Sequence, residues 1–131
     1  MGEVHYTKVK NWAWPNFTPQ EIACKGDGLI IVDRDAMDAL QKLRTMIYNK
    51  TGSGLIINSG YRSKEYNKKV GGSSNSYHMK GMAFDIRLTP KVSRETIHQF
   101  AYGAGFNGIG DYDTFVHVDI GPKRSWDLRS K

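Results

Sequence analysis

Three side chains in this sequence have the types and spacing of a metal centre. His78 and Asp85 lie seven residues apart in the stretch 76–85, with Gly81 between them, and an apolar run of Met82, Ala83, Phe84 and Ile86 surrounds the carboxylate. The pattern predicts a loop carrying His78 that turns at Gly81 into a buried strand carrying Asp85. His117, a third candidate, sits inside the apolar, strand-like run 115–120. An unpartnered imidazole there would be costly to bury. Two imidazoles and a carboxylate are the donor set of an open, catalytic divalent-metal site, with three protein ligands and one position left for water. Strand residues converge readily because sheet neighbours lie only ~4.8 Å apart. Asp85 and His117 are therefore expected on adjacent strands, with His78 on the loop feeding one of them. The plain alternative is three unrelated polar residues satisfied in the core; it suits any single histidine better than it suits the set.

The elements that must position these residues are legible in part. Thr18-Pro19-Gln20-Glu21 is a helix start, with Thr as N-cap, Pro at the first helical position and Glu closing a capping box. Leu29 to Val32 is a brief apolar run. Asp33 or Asp35 then caps the longest helix, whose apolar positions Met37, Leu40, Leu43 (or Arg44) and Ile47 recur at helical spacing; it is expected to end near Lys50, where Thr51-Gly52-Ser53-Gly54 makes a flexible stop. A buried strand is expected over 55–60, a polar helical stretch to about Val70, and a flexible Gly/Ser loop over 71–76. A helix is predicted from about Ser93 to Ala101, ended by Gly103 and Gly105, then a hairpin built from 108–110 and 115–120. Residues 121–126 read as a closing tail. Trp12, Trp14 and Phe17 mark residues 1–17 as an extended arm packing its aromatics on the core, with an exposed aromatic platform as the alternative. Helices before and between a few strands, without regular βαβ alternation, predict an α+β fold with a small, mostly antiparallel sheet and flanking helices.

The chain of 131 residues is read as one domain, 1–131, and a monomer is expected. Its hydrophobic content of 39% with 24% charged residues is a soluble globular profile. A formal net charge of +6 favours an anionic partner, although a merely soluble basic surface would look the same. Lys and Arg are spread along the chain and no nucleic-acid motif is present, so a nucleic-acid binder ranks last. Cys24 is the one cysteine, so no internal disulfide can form. The N-terminus lacks an apolar signal core and no run reaches transmembrane length. The chain is expected to be made in the cytoplasm without a signal peptide. His5 and His98 read as ordinary solvated or half-buried positions, and Trp126 as a core cap more than a cleft residue.

Ser76-x-His78-x-x-Gly81-x-Ala83-x-Asp85 resembles the SxHxxGxAxD signature of zinc D-Ala-D-Ala carboxypeptidases and related murein endopeptidases, which share a metal-binding core with Hedgehog signalling domains. Ser59-Gly60-Tyr61-Arg62-Ser63 resembles the family's SGYRS element, and Gly108 through Trp126 its closing segment. The likeness runs from about Phe17 to Trp126. It implies one Zn2+ held by His78, Asp85 and His117, and a metal-activated water attacking an amide in a peptidoglycan stem peptide. It places Arg62 where it would hold a substrate carboxylate or stabilise a developing oxyanion. Ser59, Ser76 and Tyr77 could donate hydrogen bonds in the same cleft, though turn chemistry explains them equally well.

The general base departs from the family pattern. Many members carry Asp or Glu three residues before the last His, and some a His two before it; here those positions are Thr114 and Phe115. Asp113 is the first candidate base and Asp119 the second, with Asp111 a distant third. Asp119 shares a strand face with His117 by the period of two and could instead orient that ring as an outer-sphere acceptor. Two readings follow. One is a zinc peptidase acting on the cell wall, carboxypeptidase or endopeptidase, with a phage lysin released by a holin as an attractive setting. The other is a non-catalytic zinc-containing module on the same scaffold that binds wall or protein.

Overall fold

The computed structural model describes residues 12–130 together with the backbone of residues 3–6. The chain order is β1 (Glu3–Tyr6), α1 (Pro19–Ile22), β2 (Ile30–Asp33), α2 (Arg34–Thr51), β3 (Ile57–Ser59), α3 (Lys64–Lys69), a 3-10 turn (Tyr77–Lys80), β4 (Ala83–Arg87), α4 (Arg94–Ala104), β5 (Gly108–Asp111), β6 (Phe115–Asp119) and β7 (Arg124–Asp127). β1 and β2 form an antiparallel ribbon. The other five strands form one sheet in the order β3-β4-β6-β5-β7. The fold is α+β, as the sequence predicts.

Local chemistry explains the main elements. Thr18 closes the expected capping box with Glu21 at the start of α1. The Asp33 side chain accepts the Ala36 N–H and starts α2, which buries Met37, Leu40, Leu43 and Ile47 along one stripe. Each of those side chains contributes about 2 kcal/mol by leaving water. Ser93 caps α4 in the same way, and α4 packs along α2. The strands then alternate. Phe84 and Ile86 of β4, Ile109 of β5, and Val116 and Val118 of β6 join the helices in one apolar cluster. By the period of two, Asp85, His117 and Asp119 must stand on the opposite face.

Two features differ from expectation. The segment read as a closing tail contains β7, which runs parallel to β5, so the sheet is mixed although its other pairings are antiparallel. β7 carries no apolar alternation, because the residues it turns toward the sheet are Arg124 and Trp126. The second concerns the arm over 1–17. Trp14 and Phe17 are buried, with Trp12 packed beside them, as expected for core aromatics. Residues 3–6, however, pair with β2 as a strand. Residues 1–2 and 7–11 lie outside the described residues. Among the described residues no helix is long and apolar enough to cross a membrane.

Candidate metal centre

The sheet register places Asp85 of β4 directly opposite His117 of β6. His78 arrives from the 3-10 turn before β4. That turn starts where the Ser76 hydroxyl accepts the His78 N–H and stops at Gly81, in a left-handed conformation. All three side chains are buried, and they offer ligand atoms that lie within 4.8 Å of one another. His78 Nε2 lies 3.1 Å from Asp85 Oδ1, and His117 Nδ1 lies 3.2 Å from the same oxygen.

The far side of each ring decides what the near side can do. His78 Nδ1 lies 2.7 Å from the Gly60 carbonyl oxygen, which can only accept, so Nδ1 carries the proton. His117 Nε2 lies 2.7 Å from Asp119 Oδ2 and donates to it in the same way. In the neutral rings, therefore, His78 Nε2 and His117 Nδ1 turn lone pairs toward the Asp85 carboxylate. Three acceptors converging on one point are satisfied either by second protons on the rings or by a cation. This donor set, with each non-ligating nitrogen held by an oxygen, fits a divalent metal of the zinc class.

The electrostatics agree. Burial alone would raise the Asp85 pKa, but when the rings carry their second protons the hydrogen bonds from His117 and His78 outweigh it and hold the carboxyl well below the usual carboxylate range. Burial would also raise that of Asp119, yet the His117 ring and the Arg124 guanidinium bring it down to about 2. Burial pushes the His117 imidazole down, and the bonds to Asp119 and Asp85 reverse this into a net rise. Asp85 and Asp119 each face one guanidinium, of Arg62 and Arg124, and the inner oxygen of Asp85 faces the two ring nitrogens.

The centre lies in a cavity of about 650 Å³. One wall is the loop carrying Gly71, Gly72, Ser73, Asn75 and Ser76; the other carries Tyr112, Phe115 and Trp126. The Tyr112 and Phe115 rings stack with centroids 4.5 Å apart. Arg62 and Tyr77 line the cavity too. Arg62 is largely engaged: Nε donates to Ser59 Oγ at 3.1 Å, Nη1 to Asn67 Oδ1 at 3.3 Å and Nη2 to Asp85 Oδ2 at 3.2 Å. Ser59 therefore serves Arg62 and does not reach the cavity lining, and Ser76 serves the His78 turn.

The candidate bases part company. The carboxylate of Asp113 is taken by the Ser130 N–H at 2.7 Å and the Ser130 hydroxyl at 2.8 Å, and Asp113 does not line the cavity. Asp111 is paired with Arg94 and His98. Asp119 is fully buried behind His117. Among the described residues, Asp85 is the one carboxylate lining the cavity. Sequence reasoning missed Asn67, the Gly60 carbonyl and Arg124, which bonds Asp119. It also favoured the core for Trp126, which lines the cavity with its ring centroid 5.2 Å from that of His117. The available signal was the two-residue spacing of Arg124 and Trp126, which puts both on one face of a strand.

Comparison with known proteins identifies the family. Residues 15–119 match the model of the family described as peptidase M15. The chain is 32% identical over 102 residues to the peptidoglycan L,D-endopeptidase MepK of Escherichia coli, covering 72% of this chain and 54% of that protein. It is 31% identical over 103 residues to the zinc D-Ala-D-Ala carboxypeptidase of Streptomyces albus G, covering 73% of this chain and 39% of that protein. The chain thus spans about half the length, or less, of the curated relatives it matches.

Proposed function

The chain belongs to the peptidase M15 family, and from that membership we propose that it is a zinc-dependent peptidase cleaving an amide bond in the peptide of bacterial peptidoglycan, as a D-Ala-D-Ala carboxypeptidase or an endopeptidase. The observation that carries the reading is the convergence of His78, Asp85 and His117 at the floor of an open cavity. A zinc ion held by these three would lower the pKa of water toward ~7 and polarise the scissile carbonyl.

The protein's own groups do the rest. The Gly60 carbonyl and Asp119 keep one proton on each ring, so His78 and His117 stay oriented toward Asp85. Arg62 anchors the outer oxygen of Asp85. A guanidinium has five N–H donors, so Arg62 retains donors for a substrate carboxylate or carbonyl at the cavity wall. Tyr77 lines the same cavity. The net charge of +6 suits an anionic wall polymer, an attraction that salt weakens.

The test is digestion of purified peptidoglycan by the zinc-loaded and the chelator-treated protein, with the released fragments identified by mass spectrometry. Loss of terminal D-alanine marks a carboxypeptidase, and cleaved stem or cross-link fragments mark an endopeptidase. Identical fragments with and without chelator would refute zinc dependence. No release from any murein preparation would favour the second reading, a zinc-containing binding module. One observation supports that second reading: among the described residues no carboxylate other than Asp85 lines the cavity.

Alanine at the two base candidates separates them. Asp113 is exposed and pinned to Ser130, so D113A is expected to keep hydrolysis within about two-fold, as surface changes usually do. D119A removes the partner of His117 and is expected to cost ~10–100-fold. Steady-state rates on a stem-peptide substrate measure both; a dead D113A with an active D119A would restore Asp113 as the base.

A further inference from the structure

The site face of the sheet is built in cross-strand rows. One row runs Ser59, Asp85, His117, Gly110, Trp126, and the next runs Ala83, Asp119, Gly108, Arg124. Both rows lack a side chain at β5. A Cβ on Gly108 would overlap the Asp119 carboxylate and the Arg124 guanidinium, and one on Gly110 would overlap the Trp126 indole. The two gaps let side chains of β7 lie across β5 and meet β6. Through the first gap Arg124 takes Asp119 with both arms, Nη1 to Oδ1 at 3.0 Å and Nη2 to Oδ2 at 2.9 Å. Its guanidinium carbon lies 5.0 Å from the Trp126 ring and 5.1 Å from the Tyr77 ring, so the fork is held between two aromatics. Asp119 in turn holds His117 Nε2.

We infer that Arg124 is a positioning residue for the metal centre: it fixes the Asp119 carboxylate, which fixes the ring plane and the Nε2 proton of His117 and so aims His117 Nδ1 at the ligand point. This rests on the reading that His78, Asp85 and His117 hold a divalent ion. The role needs a planar fork that engages both carboxylate oxygens, which a lysine ammonium cannot supply.

Cobalt(II) titration followed by visible absorption tests it on wild type, R124M, R124K, G108A, D119N and the double variant D119N/R124M, with melting of each metal-free protein as the folding control. R124M is expected to weaken cobalt binding ~10–100-fold, the range for outer-sphere partners, and to alter the absorption bands. R124K should recover only part of the affinity. G108A, which keeps Arg124 but crowds its bond to Asp119, should follow R124M. In the D119N background R124M should add little, because it acts through Asp119. A wild type that binds no cobalt at one-to-one stoichiometry removes the metal reading itself. A wild type that binds, with R124M unchanged or equally costly in both backgrounds, overturns the role of Arg124 and leaves the metal centre standing. If R124M does not fold, R124K and G108A carry the same comparison.

Discussion

D85N is expected to lose zinc at least ~100-fold more readily than the wild type and to show no measurable hydrolysis. The bound follows from a comparison: outer-sphere partners of metal ligands are already worth ~10–100-fold in affinity, and Asp85 is the one anionic donor of the three. Asparagine keeps the size and one oxygen but removes the charge that faces His78 Nε2, His117 Nδ1 and Arg62 Nη2 at 3.1–3.2 Å. The metal-free protein should suffer as well. Arg62 has only 16% of its side chain exposed, and breaking a buried ion pair from one side costs ~3–5 kcal/mol. Its bonds to Ser59 and Asn67 remain, so the lower end is expected, a fall in melting temperature of roughly 10 °C. Zinc separates the two effects. Ligand at ~1,000 times its dissociation constant stabilises a native protein by about 4 kcal/mol, so wild type should melt higher with zinc and D85N should not. A D85N protein that keeps one zinc at wild-type affinity would refute the three-ligand centre.

How much of this was legible depends on whether a residue's direction is set locally. His117 lies in a run whose alternate members, Val116 and Val118, are apolar, so the period of two sends His117 and Asp119 together to the other face. The pairing with Asp85 follows once both runs are strands of one sheet. The helix caps at Thr18, Asp33 and Ser93 are equally local. Arg124 and Trp126 were opaque for the opposite reason. Their meeting with Asp119 and His117 depends on the register of β7 on β5 and on two glycines in β5 that leave room, and register is a non-local property. Asp113 lies between β5 and β6, where the strand period no longer applies, and the structure carries its carboxylate to Ser130. The family motif brought Arg62 to the site, but its bonds to Ser59, Asn67 and Asp85 emerge only when β3, α3 and β4 are packed together.

Gly81 is the residue on which the placement of His78 turns, and G81A is expected to lose both stability and metal affinity. Its φ of +71° is a conformation that costs an L residue with a Cβ ~1–2 kcal/mol. There is also no room: a Cβ would overlap the Ile31 carbonyl oxygen and lie 3.0 Å from the Ile31 carbonyl carbon and from Val32 Cα. Those are backbone atoms of β2, so no rotamer change can relieve the contact. Strain and overpacking together suggest a loss of about 3 kcal/mol. The functional consequence follows from where the relief must occur. β2 is held by β1 and bonded to the turn through the Asp33 N–H and the Gly81 carbonyl, whereas the turn itself is a short 3-10 segment. The turn should therefore move away from β2 and take His78 out of line with Asp85. Zinc affinity is expected to fall at least ~10-fold at temperatures where G81A is still fully folded, an effect that lost stability alone would not produce. Calorimetric zinc titration well below the melting transition decides it: a lower melting point with unchanged affinity would mean that His78 is held by its Gly60 bond and not by the turn at Gly81.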